Sequence, residues 1–202
     1  LGNVDALEVQ QIKAFIRYSE AVAGIEVMRL GQEHARFLDM PFYKTGKVRK
    51  MPINDVDVQI VLSMLEEKMP EHIFVAGDLS DPHGTHRMCY FAIKRALIEF
   101  KKKYPDESKH PMVWLYRGAW QEWEIDRADV FLPMSKADLD RKIEAIFKHE
   151  SQKDRAMYPG AYDIREFWER ARDRNQGTAS RLNGLGLPEF HAAEAYVCVK
   201  EL

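Results

Sequence analysis

The chain has 202 residues, 46% of them hydrophobic and 31% charged, with a formal net charge of −2. This composition excludes a disordered polymer and describes a globular protein with enough apolar side chains for a core. Balanced charge argues against a nucleic-acid binder, and the absence of an apolar run near ~18 residues argues against a membrane span.

In chain order, residues 5–31 read as a long helix. Asp5 is positioned to cap it, Val9, Ile12, Ile16 and Ala23 recur on one face, and Gly31 is its stop signal. Residues 35–42 read as a short strand ended by Pro41, and the basic run 44–50 as a solvated loop. Asn54 is the expected N-cap of a second helix, with Val58, Val61, Leu62 and Leu65 as its stripe and Pro70 beyond its end. Residues 72–77, His-Ile-Phe-Val-Ala-Gly, form a continuous apolar run, the mark of a strand buried on both faces.

A strongly amphipathic helix follows over 85–103, then strands over 112–118 and 128–134. Ser135 caps a helix within 136–152, and residues 161–177 form another, with Gly177 expected just past its end. Residues 192–199 read either as an edge strand or as a last helical turn. Strands alternating with helices of this length predict a single α/β domain over 1–202, layered around a mainly parallel sheet. Cys89 and Cys198 lie far apart in apolar contexts and read as small core residues, so a reducing, cytoplasmic setting is expected.

The segment 77–89, Gly-Asp-Leu-Ser-Asp-Pro-His-Gly-Thr-His-Arg-Met-Cys, holds the densest chemistry. It follows the strand 72–77 at its carboxyl end, where ligands of parallel α/β sheets bind. His83 and His86, three apart where a helix begins, can face one cleft, one as a metal ligand and the other carrying a proton. Asp78 and Asp81 can orient the imidazoles through their ring N–H groups. The same residues also read as a polar turn, with Asp81 capping the helix and Gly84 easing the chain. Catalytic zinc needs three protein ligands, and His34, His72, His110, His149 and His191 stand in no second motif of metal spacing. Downstream, Arg117, Trp120, Glu122 and Trp123 put aromatic faces beside charges after a strand, a combination that suits a sugar ring or half-buried packing.

Three segments carry a resemblance. His83-Gly84-Thr85-His86 resembles the late H-P-D-H type motif of the LmbE-like (PIG-L type) zinc-dependent N-deacetylases, with Gly-Thr in place of Pro-Asp. Arg17-Tyr18-Ser19-Glu20, followed by Leu30-Gly31, is similar to that family's R-x-x-E…L-G helix. Lys142, Ala145, His149, Ser151 and Gln152 match its K-x-x-A-x-x-x-H-x-S-Q helix. The family's early H-P-D-D motif has no counterpart in this chain. The segments around 76–89 and 114–126 further resemble the C-terminal region of long bacterial glucosamine-6-phosphate deaminase-type proteins. A chain that opens on Leu1 rather than Met fits a piece of such a protein.

The resemblance implies a Rossmann-like three-layer fold lacking its first strand or strands, and a zinc-dependent deacetylation of an N-acetylated amino sugar or sugar phosphate. It implies that His86 is a metal ligand, that His83 stabilises an oxyanion with Asp81 as its catalytic neighbour, and that Arg17 reaches the substrate. Arg117 and Trp120 complete the expected substrate contacts. Zinc is expected to bind this chain weakly unless the remaining ligands are supplied. The expected partners are the sugar substrate and either a second copy of the chain or an upstream deaminase domain. The alternative expectation is an accessory or oligomerisation module, with deamination and isomerisation of glucosamine 6-phosphate carried by that upstream domain.

Overall fold

The computed structural model describes residues 4–43, 51–80, 84–118, 121–152 and 164–200. The basic run 44–50 lies outside them. In order the elements are α1 (Leu7–Val27), α2 (Asp55–Lys68), β1 (His72–Ala76), α3 (Thr85–Lys103), β2 (Met112–Tyr116), β3 (Val130–Met134), α4 (Lys136–Phe147), α5 (Phe167–Gly184) and β4 (Ala192–Cys198). The strands hydrogen-bond in the order β1-β2-β4-β3. The chain forms two compact units, one of Leu1–Arg36 with Gly118–Ala195 and one of Phe37–Arg117 with Tyr196–Leu202.

In the unit built on Phe37–Arg117, α2 packs on α3 and α3 on β1. Asn54 caps α2 as expected, in a reciprocal box with Asp57. Asp57 is fully buried because it is fully used: its carboxylate accepts from the backbone N–H groups of Asn54 at 2.9 Å and Phe42 at 3.0 Å. Residues 35–40 are irregular and 41–43 a turn, so the expected strand there is absent; Phe42 is instead a buried anchor. Ala92, Ala96, Leu97 and Phe100 of α3 and Val58, Val61 and Leu65 of α2 form the helical core. The repeated i, i+4 spacing of 92, 96 and 100 is what turns one face of α3 inward.

β1 and β2 pair in parallel, His72 opposite Met112 and Phe74 opposite Trp114, and β4 adds antiparallel to β2 through Tyr196–Cys198. The sheet is therefore mixed, not mainly parallel. Alternating helices and strands cannot reveal this, because the direction in which β4 re-enters is set by the connection after α5 and not by any periodicity. β4 is also an interior strand, neither an edge nor a helical turn. Nor is β1 buried on both faces: Val75 is buried while Phe74 is 58% exposed. β1 stands at the edge of the strand order, and a short apolar run does not say how many of its faces are covered. Cys89 and Cys198 are half-buried and form no disulfide.

In the other unit, α1 packs on α4, α4 on α5, and α4 on β3. Ala6 rather than Asp5 stands at the N-cap of α1, and Asp5 pairs with Lys13. The helix ends at Val27, short of Gly31. Its expected apolar face is largely uncovered, Val9 being 41%, Ile12 59% and Ile16 46% exposed. At Gly24 of α1 a neighbour comes close: a Cβ there would sit 3.1 Å from His149 Nε2. Ser135 caps α4 in a box with Asp138. α5 runs straight through Gly177 to Gly184, so Gly177 is interior and not a terminator. Ala179 and Leu182 of α5 form a small core with Ala193 of β4, flanked by Ile125, Phe131 and Phe190. Among the described residues no helix is long and apolar enough to cross a membrane.

Candidate functional site

The segment singled out in the sequence leaves β1 at its carboxyl end and returns to the start of α3. Gly77 N–H donates to the Tyr116 carbonyl at 2.6 Å, extending the β1–β2 ladder by one residue. Asp78, next along, is buried, and its carboxylate lies 3.5 Å from the Arg117 guanidinium just past β2. Parallel pairing brings these two strand ends level, so a charge after β1 meets one after β2. Arg87 of α3 reaches back to the Leu79 carbonyl at 3.4 Å.

Gly84 is the N-cap of α3, with φ 71°. That left-handed conformation is inexpensive only for glycine, and it sets the direction in which α3 leaves the loop. Among the described residues no side chain caps this terminus, and its first turn has no acidic residue. The N–H groups and the dipole of such a helix start favour an anionic or partly negative ligand group. His86, second residue of the helix, is half-buried. Asp78, His86 and Arg117 thus belong to one end of one compact unit.

Asp81, His83 and Trp120 lie outside the described residues. Arg17 is exposed on α1, in the other unit. A zinc site can be tested on the donors themselves. Among the described residues, no three His, Cys, Asp or Glu side chains form a group that could hold a metal ion. His86 has Asp78 in its neighbourhood along the chain, but Asp78 is engaged by Arg117. The described donors do not fit a three-ligand zinc set.

Two arrangements in the other unit relate to the motif residues. Glu20 of α1 accepts from the Ser151 backbone N–H at 2.6 Å and its hydroxyl at 2.7 Å. Burial pushes the Glu20 carboxyl up, but these bonds, one from Gln152 and the charge of Arg17 outweigh it, and the net direction is down. The Arg17–Glu20 pattern and the Ser151–Gln152 pattern are therefore two sides of one clasp between α1 and the segment after α4. Deeper in this unit, Lys142 donates to both Glu194 oxygens and to Asn175 Oδ1, each at 3.0 Å. Arg174 bridges Glu194 and Glu122, 2.8 Å to each. Burial lifts the carboxyl of Glu122 above its usual range despite Arg174. At Glu194 burial also acts upward, but Lys142 and Arg174 together bring it below. Burial lowers the Lys142 ammonium, with Glu194 opposing.

Sequence reading passed over this four-charge network. Lys142 was legible through its helix motif and Glu122 through its tryptophan neighbours. Arg174 and Glu194 gave no signal, because in a charge-rich helix and an alanine-rich strand they look like ordinary solvated positions.

No family model matches the chain. Over 196 residues, 97% of its length, it is 43% identical to a glucosamine-6-phosphate deaminase-like protein of Bacteroides thetaiotaomicron. It spans only 29% of that relative's length. Among solved structures it is similar to GalB, the 4-carboxy-2-hydroxymuconate hydratase from Pseudomonas putida KT2440. The TM-score is 0.61 at 18% identity, over 93% of this chain and 72% of the hydratase. The zinc-inhibited form of teicoplanin deacetylase Orf2 aligns with a TM-score of 0.49 at 17% identity, over 93% of this chain and 76% of that one. The chain is thus an α/β protein that shares its fold with the hydratase and its sequence with about a third of a longer deaminase-like protein.

Proposed function

We propose that this chain is a hydrolase-type module acting on an N-acetylated amino sugar or its phosphate, within a longer glucosamine-6-phosphate deaminase-like protein. The observation that carries the reading is the end of the β1–β2 pair, where the buried Asp78–Arg117 contact and the half-buried His86 stand at the start of α3. Amide hydrolysis needs water added to the acetyl carbonyl and a proton delivered to the departing amine. An imidazole at position 86 has the donor chemistry of a metal ligand, the role the resemblance implies for it, and the one at position 83 that of a partner for the developing oxyanion. Arg117, oriented by Asp78, and the α3 terminus are suited to a phosphate or to the oxygen that gains charge. Sequence similarity to the deaminase-like relative supports the amino-sugar class.

Zinc dependence, which the LmbE-like resemblance implies, requires ligands in addition to His86. Metal analysis of the purified protein checks this apart from activity. His86→Ala is expected to lose whatever zinc the full-length protein holds, and His83→Ala to retain it while losing turnover. Zinc retained in the His86 variant would remove the assignment.

A second reading is favoured by the relative's name and by the share of it that this chain covers. Here the parent protein deaminates glucosamine 6-phosphate elsewhere, and this module is accessory. Acetate released from N-acetylglucosamine 6-phosphate, and abolished by His86→Ala, supports the first reading. Ammonia released from glucosamine 6-phosphate, indifferent to that substitution, supports the second.

A further inference from the structure

The opposite end of β1 and β2 carries a second concentration of polar chemistry. A cleft of about 400 Å³ opens where α2 leads into β1 and where the chain enters β2, and Glu71, His72, Lys109 and His110 line it with Met69 and Met112. The Met112 N–H donates to the Glu71 carbonyl at 2.9 Å, so its two walls are tied together. A five-residue strand at ~3.3 Å per residue separates it from the loop that holds Asp78 and His86 by roughly 15 Å.

Its two imidazoles are held in opposite senses. His110 Nε2 lies 2.7 Å from the Tyr104 carbonyl oxygen. A carbonyl only accepts, so Nε2 carries the proton and Nδ1 of the neutral ring keeps its lone pair. His72 Nδ1 lies 3.1 Å from Trp114 Nε1. An indole N–H only donates, so here Nδ1 is the acceptor and Nε2 carries the proton. The cleft therefore combines a carboxylate, an ammonium and two imidazoles beside two methionine side chains, with His72 Nε2–H as a donor and, in the neutral ring, His110 Nδ1 as an acceptor. A simple anion meets Glu71, a simple cation meets Lys109, and an apolar molecule leaves all four polar groups without a match. A volume of this size is within the range of small-molecule sites.

We propose that this cleft is a second ligand site, for a small hydroxylated zwitterion whose ammonium faces Glu71 and whose anionic group faces Lys109. Amino-sugar phosphates have this chemistry, and the site is independent of whether the β1–α3 loop is catalytic. The probe is glucosamine 6-phosphate, titrated into the full chain and followed at the Trp114 indole N–H resonance, assigned with Trp114→Phe. That proton is bonded to His72, so occupancy of the cleft perturbs it directly. Glucose 6-phosphate, without the ammonium, and inorganic phosphate are the comparison ligands.

The expected result is a saturable shift with glucosamine 6-phosphate and weaker binding of both comparison ligands. Glu71→Gln is expected to weaken glucosamine 6-phosphate about tenfold or more, as loss of a charged hydrogen-bond partner does, and to leave glucose 6-phosphate unchanged. Lys109→Ala is expected to weaken both sugars, and His86→Ala neither. No saturable shift, equal binding of inorganic phosphate, or binding lost in His86→Ala but kept in Glu71→Gln would each overturn the proposal.

Discussion

Glu194 and Glu122 are both carboxylates beside Arg174, yet their surroundings drive them in opposite directions. Glu194 sits between two cations and is held ionised, while at Glu122 burial, with Glu194 pushing the same way, outweighs Arg174, the Trp123 N–H and the more distant Lys142. Glu194→Gln leaves Lys142 and Arg174 short of countercharge in a mostly buried setting and is expected to cost on the order of 3 kcal/mol. Glu122→Gln keeps a hydrogen-bond acceptor for Arg174 and removes a charge the site disfavours, so its cost is expected to be well below that. Urea unfolding of the two variants checks the order, and equal losses would contradict it. Glutamates 122 and 194 show the limit of local sequence reading. What distinguishes them is which cations arrive from α4 and α5, information spread over more than fifty residues of chain.

Secondary structure was most legible where a terminus is specified by its own side chains. Asn54 with Asp57, and Ser135 with Asp138, are complete capping boxes, and both helices begin where those residues say. Glycine was less legible, because one residue serves opposite purposes. Gly84 is needed for a left-handed cap, whereas Gly177 is an interior helical residue whose added Cβ would meet nothing within 4 Å. Gly177→Ala is therefore expected to stabilise the protein by ~0.5–1 kcal/mol, seen as a raised Tm. Gly84→Ala is expected to destabilise by ~1–2 kcal/mol, from a strained φ and a Cβ 3.3 Å from Arg87 Nη2. Apolar periodicity also has two outcomes. The stripe of α3 became core, with Phe100 fully buried, whereas in the stripe expected on α1 Ile12 is 59% exposed, and Phe15 beside it 70%. Phe100→Ala is expected to cost ~3–5 kcal/mol and Phe15→Ala within ~0.5 kcal/mol in denaturant unfolding.

Over the whole molecule, pH brings out the carboxylates that the fold uses. Glu20 and Glu194 both have native values held below the ordinary glutamate value of 4.5. A group depressed in the native state adds stability above its unfolded value and loses it as pH falls through the folded one. The contribution of these two groups is thus expected to be level towards neutrality and to decline below pH ~4.5 as they bind protons, while Glu122, raised by burial, acts in the opposite sense. Glu20→Gln should flatten part of that decline, because its clasp to Ser151 no longer depends on charge. A variant with the wild-type acid slope would show that the clasp contributes nothing.

By itself the sequence determined the α/β class, most helix starts, and the loop between β1 and α3 as a concentration of chemistry, because caps, periodicity and residue type are local properties. The motif halves Arg17–Glu20 and Ser151–Gln152 were legible as patterns, but their meeting as donor and acceptor was not. Only the tertiary structure decided that β4 enters antiparallel between β2 and β3, that Asp78 turns to Arg117, and that four charges close a network around Glu194. Each of these depends on which distant segments pack together, and packing is chosen by burial and charge pairing summed over the unit, with no imprint on any short stretch of chain.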